Sequence, residues 1–61
     1  MNAMQHFFIT PVYTDGRLGR EEYMGEVMNT QHARDILRPI MADRPRNIIA
    51  NYKCRISLKK D

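Results

Sequence analysis

A chain of 61 residues, of which 43% are hydrophobic and 28% charged, can form one small folded domain and lacks the low hydrophobicity typical of intrinsic disorder. A domain of this length buries only about 60% of its unfolded surface, so a few large apolar side chains must stabilise it. The formal net charge of +3 is unevenly divided. Residues 1–43 carry four basic side chains against six acidic ones, whereas residues 44–61 carry six basic ones against one. A basic end of this kind indicates an acidic partner.

The sequence lacks the cysteine pairs and metal-ligand sets that stabilise many small domains. Cys54 is the only cysteine, which excludes an intramolecular disulfide. A structural zinc site needs about four Cys or His ligands, and the sequence offers only Cys54, His6 and His32, at no ligand-like spacing. We therefore expect no metal and no cofactor, and we expect the core to be supported by a homodimer or by a binding partner.

The sequence carries no signal for export or membrane insertion. Its N-terminus lacks the basic start and long apolar run of a signal peptide, and no stretch approaches the roughly 18 apolar residues of a membrane span. With a single cysteine, the protein is expected in the cytoplasm. We expect one domain over residues 1–61, with residues 1–5 flexible.

The first apolar segment, residues 6–14, is rich in aromatic and β-branched residues, which is typical of a strand. Pro11 lies within it. Because proline has no backbone N–H to donate, this strand is predicted to be an edge strand or to be bulged at that point. Residues 15–19 contain two glycines and are predicted to form a turn or short loop.

Residues 21–28 fit either a strand or a helix by their apolar pattern. In a helix continuing to residue 41, the stripe formed by Met24, Val27 and Met28 would run on through polar positions, which argues against one continuous helix. We therefore predict a strand here. If that strand points Tyr23 and Val27 inward, Met24 and Met28 are exposed, and could form an adaptable binding surface or simply fill gaps in the core.

The pattern changes phase near Asn29 and Thr30, whose side chains suit a helix N-cap. A helix is predicted from about Gln31. Its core-facing residues are predicted to be Ala33, Ile36, Leu37 and Ile40. Pro39 clashes with the helix interior, so the helix is expected either to kink there or to end near Arg38.

The last segment, residues 48–58, alternates strictly and is predicted to be a strand with one buried and one basic face. Its apolar positions are Ile48, Ala50, Tyr52, Cys54, Ile56 and Leu58. On this pattern Cys54 is buried as a small apolar side chain. The element order predicts an α+β fold, a small ββαβ domain whose antiparallel three-stranded sheet has one helix packed on one face.

Catalytic chemistry finds little support in the sequence. His32 and Asp35 lie three positions apart on the predicted helix, but such a pair is usually an exposed surface contact. The two glycines of residues 16–19 lack the spacing and the lysine of a phosphate-binding loop. Glu21 and Glu22 are adjacent carboxylates of the kind that ordinarily face solvent. We expect a protein that is not an enzyme, since a chain of this length has little room for a pocket.

Binding is the better-supported function. Four basic residues are the predicted contacts to an acidic surface: Lys53, Arg55, Lys59 and Arg46. The same residues could contact phosphates, so the alternative is a small basic nucleic-acid-binding domain. A third hypothesis is a subunit that folds only within an assembly. The basic face can also be interpreted simply as that of a solvated strand, whose lysines prevent unwanted edge pairing. No aromatic motif of the RNA-binding type accompanies the basic residues, because Tyr52 has the parity of the opposite face.

The run from Gly25 to Leu37, a strand leading into a capped helix, is followed by a final strand with basic residues. Over residues 7–58 this layout resembles very small phage-encoded inhibitors, including some anti-CRISPR proteins and proteins that block host RNA polymerase. The resemblance implies a protein without a catalytic site that occludes a surface of a host macromolecular complex. The implied partner is a host protein or nucleoprotein complex with an acidic surface, met in the host cytoplasm.

Overall fold

The structure, a computed structural model, describes residues 4–60. Its elements in chain order are β1 (Gln5–Tyr13), β2 (Glu22–Val27), α1 (Thr30–Asp43) and β3 (Ile49–Ser57). The strands form one antiparallel sheet in the order β2-β1-β3, and α1 packs on one face of it. The predicted small α+β fold of ββαβ order is confirmed. Gln5, placed by the sequence in the flexible segment 1–5, is instead the first residue of β1, and residues 1–3 of that segment lie outside the described residues.

The central position of β1 contradicts the expectation of an edge strand at Pro11. The Pro11 carbonyl accepts a hydrogen bond from the Gly19 N–H at 2.8 Å. In an extended strand, the N–H and C=O of one residue point to the same side, so the missing N–H faces the loop at Gly19 and takes no bond from the ladder with β3. The irregularity between β1 and β3 lies one residue further on, between Val12 and Tyr13, so the expectation of a bulge at Pro11 is also wrong.

A bulge does occur in β2, at Gly25. Phe7 is opposite Gly25 and Phe8 is opposite Tyr23, so Met24 is an extra residue without a partner on β1. Gly25 has φ +108, a conformation that side chains other than glycine's rarely adopt. The prediction of a strand over this segment is confirmed, but its simple alternation is wrong because the extra residue changes the parity.

The bulge redistributes the side chains of β2 between the two faces of the sheet. Met24 packs against the core beside α1, and Val27 is fully buried there. Tyr23 lies on the other face, opposite Phe8. Of the two methionines expected at the surface, only Met28 is exposed, at 65%.

The core lies between α1 and the sheet. Its buried members are Phe7, Ile9, Val27 and Ala33, and they are flanked by the half-buried side chains of Met24, Ile36, Leu37, Ile40, Tyr52 and Ile56. The four residues predicted to form the inner face of the helix are therefore confirmed. Burying these side chains is the main source of stability available to so short a chain.

The N-terminus of α1 has the cap that the sequence predicts. The Asn29 side-chain oxygen accepts a hydrogen bond from the His32 N–H at 2.8 Å. In return, the Met28 N–H donates to Nδ1 of His32 at 3.0 Å. These bonds satisfy backbone donors that would otherwise have no partner at the start of a helix.

The C-terminal half of α1 continues through Pro39 to Asp43, so the alternative in which the helix ends near Arg38 is wrong. Arg44 then leaves the helix with φ −63 and ψ 144, an extended conformation that the following Pro45 favours. Its guanidinium donates to the carbonyl of Met41 at 2.8 Å and to that of Ile49 at 3.1 Å. Arg44 therefore closes the helix and connects it to the start of β3.

The predicted alternation of β3 holds at Tyr52 and Ile56 and fails at Ala50 and Cys54, which are exposed. Tyr52 and Ile56 pack against the core, as predicted. Ile48 and Leu58, at the two ends of the predicted strand, lie outside β3 and are 52% and 68% exposed. The prediction of a buried Cys54 is wrong. β3 is an edge strand, and α1 leaves beside it a groove of about 360 Å³ in which Cys54 meets solvent.

Candidate functional site

The sheet face opposite α1, here called the open face, collects the most chemically varied side chains of the protein. Strand register and alternation place on it His6, Phe8 and Thr10 of β1, Tyr23 and Glu26 of β2, and Lys53, Arg55 and Ser57 of β3. Aromatic residues occupy the middle of this face, and the basic residues of β3 lie along one side of it.

Three rings form a continuous row across β1 and β2, here called the aromatic row. The centroids of Phe8 and Tyr23 are 5.3 Å apart, and those of His6 and Tyr23 are 5.7 Å apart. A hydrogen bond of 2.9 Å joins Nδ1 of His6 to the Tyr23 hydroxyl. These spacings are typical of favourable tilted ring contacts. Because of the contact and the hydrogen bond, the Tyr23 ring is held in one orientation although 39% of the residue is exposed.

Arg55 covers one end of the aromatic row. Its Cζ atom lies 4.1 Å from the centroid of Phe8, a cation–π distance. Its Nε and Nη2 atoms donate to the two carboxylate oxygens of Glu21 at 3.0 and 2.8 Å. This bidentate geometry fixes the guanidinium plane. As a result Phe8 is only 6% exposed although it lies on the face without a helix.

A second cation lies over the aromatic row. Nζ of Lys60 is 4.5 Å from the centroid of Tyr23, within the range of a cation–π contact. Lys60 is exposed and follows the end of β3. The open face therefore places one cation above each of its two six-membered rings, an arrangement that strand parity alone does not predict.

The structure brings together some of the predicted binding residues and separates another. Lys53 and Arg55 lie on the open face opposite Thr10 and Phe8, and Lys59 is exposed just beyond β3. Arg46 is exposed in the turn before β3, at the opposite end of that strand. A nine-residue strand is about 30 Å long, so Arg46 belongs to a different part of the surface.

Aromatic side chains do lie beside the basic residues, although β3 itself supplies none of them. Tyr52 does lie on the helix side, as its parity indicates, but Phe8 and Tyr23 supply rings from the other two strands. The position of Phe8 on the open face could have been predicted from strand alternation. Phe7 and Ile9 are apolar, two positions apart and buried, so Phe8 between them must point to the opposite face. No such signal exists for Tyr23, because its position depends on the bulge at Gly25.

The Glu21 carboxyl should titrate below the ordinary range of a glutamate. The hydrogen bond from Arg55 lowers its pKa, the positive charge of Arg55 lowers it further, and partial desolvation opposes both. Because the pKa is lower in the folded state, any stabilisation by this pair is present above the unfolded pKa and disappears as the pH falls through the folded one. We expect carboxyl NMR titration to give a lowered midpoint for Glu21 that returns to the ordinary range in Arg55→Gln.

A matched control for this titration is Arg17→Gln, which removes an arginine paired with Asp15 in the loop. It should leave the Glu21 midpoint unchanged. An identical midpoint for Glu21 in wild type and Arg55→Gln would show that the bidentate pair does not form in solution.

The other candidate reactive groups of the sequence are engaged separately. Nδ1 of His32 accepts from the Met28 N–H, while Asp35 accepts from Gln31 at 3.1 Å and lies 3.4 Å from Arg38. His32 and Asp35 thus have different partners and do not pair with each other in an acid–base arrangement. Partial desolvation raises the pKa of the Cys54 thiol, which lowers its thiolate fraction and its reactivity.

Among residues 4–60, no three His, Cys, Asp or Glu side chains are grouped so that they could hold a metal ion. Within the same residues, α1 is too short and too polar to cross a membrane. Comparisons of the sequence with protein-family models and with characterised proteins, and of the fold with solved structures, gave no significant match.

Proposed function

We propose that this protein is a non-enzymatic binding module that uses its open face to contact an acidic surface of a larger macromolecular complex. The observation that carries the proposal is the set of cations along one side of the open face, where Lys53 and Lys60 lie on either side of Arg55. A bidentate bond to Glu21 holds the Arg55 guanidinium flat over Phe8. Side chains fixed before binding lose less conformational entropy when a partner arrives.

The charges of the open face support an acidic partner. Glu21 compensates the charge of Arg55. The exposed lysines Lys53, Lys59 and Lys60 outnumber the other carboxylate of this face, Glu26, so the net attraction comes from them. Positive groups concentrated on one side of a small protein speed its encounter with an anionic surface. Arg46 contributes to this long-range attraction from the far end of β3, and lies outside the contact itself.

The consequence of binding is part of the same proposal. The resemblance to small phage-encoded inhibitors supports a protein that occludes a functional surface of a host complex, and that acts in the host cytoplasm. The open face suits occlusion because it is an extended sheet surface, and the Cα trace as a whole measures 42 × 23 × 12 Å. A flat module of this kind can cover a surface without entering a pocket.

Retention on immobilised heparin, used as a generic polyanion, tests the role of the open face. Lys53→Gln/Lys60→Gln should elute at a lower salt concentration than wild type, because two cations of the contact surface are lost. The matched control is Arg17→Gln/Arg38→Gln, which removes the same net charge from the loop and from α1 at side chains 81% and 73% exposed. Equal elution of the two double variants would contradict the proposal, because retention would then depend on net charge alone.

A further inference from the structure

The open face combines planar groups with cations, and this combination distinguishes between classes of acidic partner. Carboxylates on a protein surface, and phosphates of a duplex, require only cations. A single strand of nucleic acid also exposes its bases, which stack on aromatic rings and on guanidinium planes. Of these partners, only a single strand of nucleic acid would use both the cations and the flat surfaces of the aromatic row and the Arg55 guanidinium.

We infer that the acidic partner is a single strand of nucleic acid, with bases stacked on Tyr23 and on the Arg55 guanidinium and phosphates bound by the nearby lysines. This inference rests on the proposed function, because it identifies the partner of the same open face. It assigns distinct tasks to the planar side chains and to the lysines of that face.

Tyr23 provides the first stacking position. Its ring is packed against Phe8 and hydrogen-bonded to His6, while 39% of the residue is exposed. In the unbound protein the ammonium group of Lys60 lies 4.5 Å from the ring centroid. A base stacking on Tyr23 would take that place, and the Lys60 ammonium would move to a phosphate of the same strand.

Arg55 provides the second stacking position. One face of its guanidinium lies on Phe8, and its side chain is 40% exposed toward solvent. The carboxylate of Glu21 occupies two of its N–H groups and compensates its charge. Arg55 is thereby suited to offer a flat surface to a base, since its charge is already satisfied and its plane is fixed.

The lysines lie on both sides of the stacking positions. Lys53 precedes Arg55 by two residues on the same face of β3, which corresponds to about 7 Å along the strand. Lys59 and Lys60 follow the other end of β3. A strand of nucleic acid running along β3 would therefore meet a cation before and after the bases that stack.

Three phosphate-binding lysines predict a measurable salt dependence. Each neutralised phosphate of a single strand contributes a slope of about −0.7 to the plot of log K against log salt concentration. Contacts from Lys53, Lys59 and Lys60 therefore predict a slope of about −2. A substantial part of the binding free energy should persist at high salt, because base stacking is not screened by ions.

Fluorescence anisotropy tests the inference with three probes of similar length. The first is a labelled oligothymidylate of about 12 nucleotides, a length within the site sizes of ~4–16 nucleotides known for single-strand-binding folds. The second is a duplex of mixed sequence, and the third is a polyglutamate peptide. We expect the oligothymidylate to bind most tightly and to show the salt slope given above.

Variants without a change of charge separate stacking from electrostatics. Tyr23→Leu should weaken oligothymidylate binding roughly 5- to 150-fold, the range for removing one stacked aromatic side chain, whereas Tyr23→Phe should bind as wild type does. Heparin retention should be the same for all three proteins. Thermal unfolding establishes that each variant is folded. Should Tyr23→Leu not fold, Arg55→Lys serves instead, because it keeps the charge but removes the plane.

The possible results separate the inference from the proposed function. If folded Tyr23→Leu binds the oligothymidylate as tightly as wild type, or if the duplex or polyglutamate binds as tightly as the single strand, the inference is overturned while the open face remains an acidic-partner surface. If neither heparin nor any probe is bound, both are overturned. Tight single-strand binding that depends on the Tyr23 ring supports both.

Discussion

Replacing Phe7 with alanine is expected to unfold the protein at room temperature. Phe7 is 1% exposed and lies at the centre of the core between α1 and the sheet. A buried Phe→Ala substitution costs about 3–5 kcal/mol, through lost burial and through the cavity left behind. A core in a domain below ~70 residues rarely supplies more than about 3–5 kcal/mol in total. Circular dichroism should show loss of the native spectrum, and amide NMR signals should collapse into the unfolded range.

Two companion variants make this result specific. Phe7→Leu keeps most of the buried volume and should remain folded with reduced stability. Leu58→Ala removes an apolar side chain that is 68% exposed after the end of β3, and should change the free energy of unfolding by no more than about 0.5 kcal/mol. A Phe7→Ala protein with wild-type stability would show that the core of the structure is not the core in solution.

Pro39→Ala is expected to stabilise the protein, whereas Phe7→Ala destabilises it. Pro39 is exposed and lies inside α1, where it has no N–H for the Asp35 carbonyl. Proline in a helix interior is about 3 kcal/mol less favourable than alanine. In a domain of this size, each kcal/mol shifts the unfolding midpoint by roughly 4–8 °C. We therefore expect the midpoint to rise by more than about 10 °C in a thermal scan.

The control for this prediction is Pro45→Ala. Pro45 follows the end of α1, and its carbonyl accepts hydrogen bonds from the N–H groups of Ile48 and Ile49. The proline ring interrupts no helix there, so its removal should destabilise by about 0.4–1 kcal/mol through the greater freedom of the unfolded chain. A lower midpoint for Pro39→Ala would show that α1 does not continue past that residue in solution.

The elements that could be predicted from the sequence are those whose apolar residues follow one regular period. β3 follows a period of two, and the inner face of α1 follows a helical period that begins at a recognisable cap, Asn29. Pro39 shows the limit of such reasoning. Its local cost predicts a helix end, but packing of Ile40 against the core keeps the segment helical beyond it.

The departures from prediction in the sheet have a common physical origin in strand pairing, which a single sequence does not reveal. Pro11 fits in the central strand because its N side faces the loop at Gly19, where the ladder with β2 has already ended. Cys54 has an inward parity yet is exposed, because one helix does not cover the outer side of an edge strand.

The candidate site, too, could be predicted from the sequence only in part. Lys53 and Arg55 could be placed on one face from the alternation of β3 alone. Their surroundings could not, because Glu21 and Arg55 are 34 positions apart in sequence and meet only across the folded sheet. Arg46 illustrates the converse: proximity in sequence to a basic strand does not place a residue on the surface of that strand.

The extra residue in β2 also constrains how this protein can change during evolution. Tyr23 and Glu26 share one face of the sheet, and Met24 and Val27 share the other, only because a single residue is inserted between them. Loss of one residue from this segment would restore a period of two. Either Val27 would then lie on the open face, or Tyr23 would lie on the face that α1 covers. Substitutions here change single contacts, whereas a deletion would exchange inside for outside. Among descendants of this sequence, we expect the length from Tyr23 to Val27 to be kept more strictly than most of its side chains.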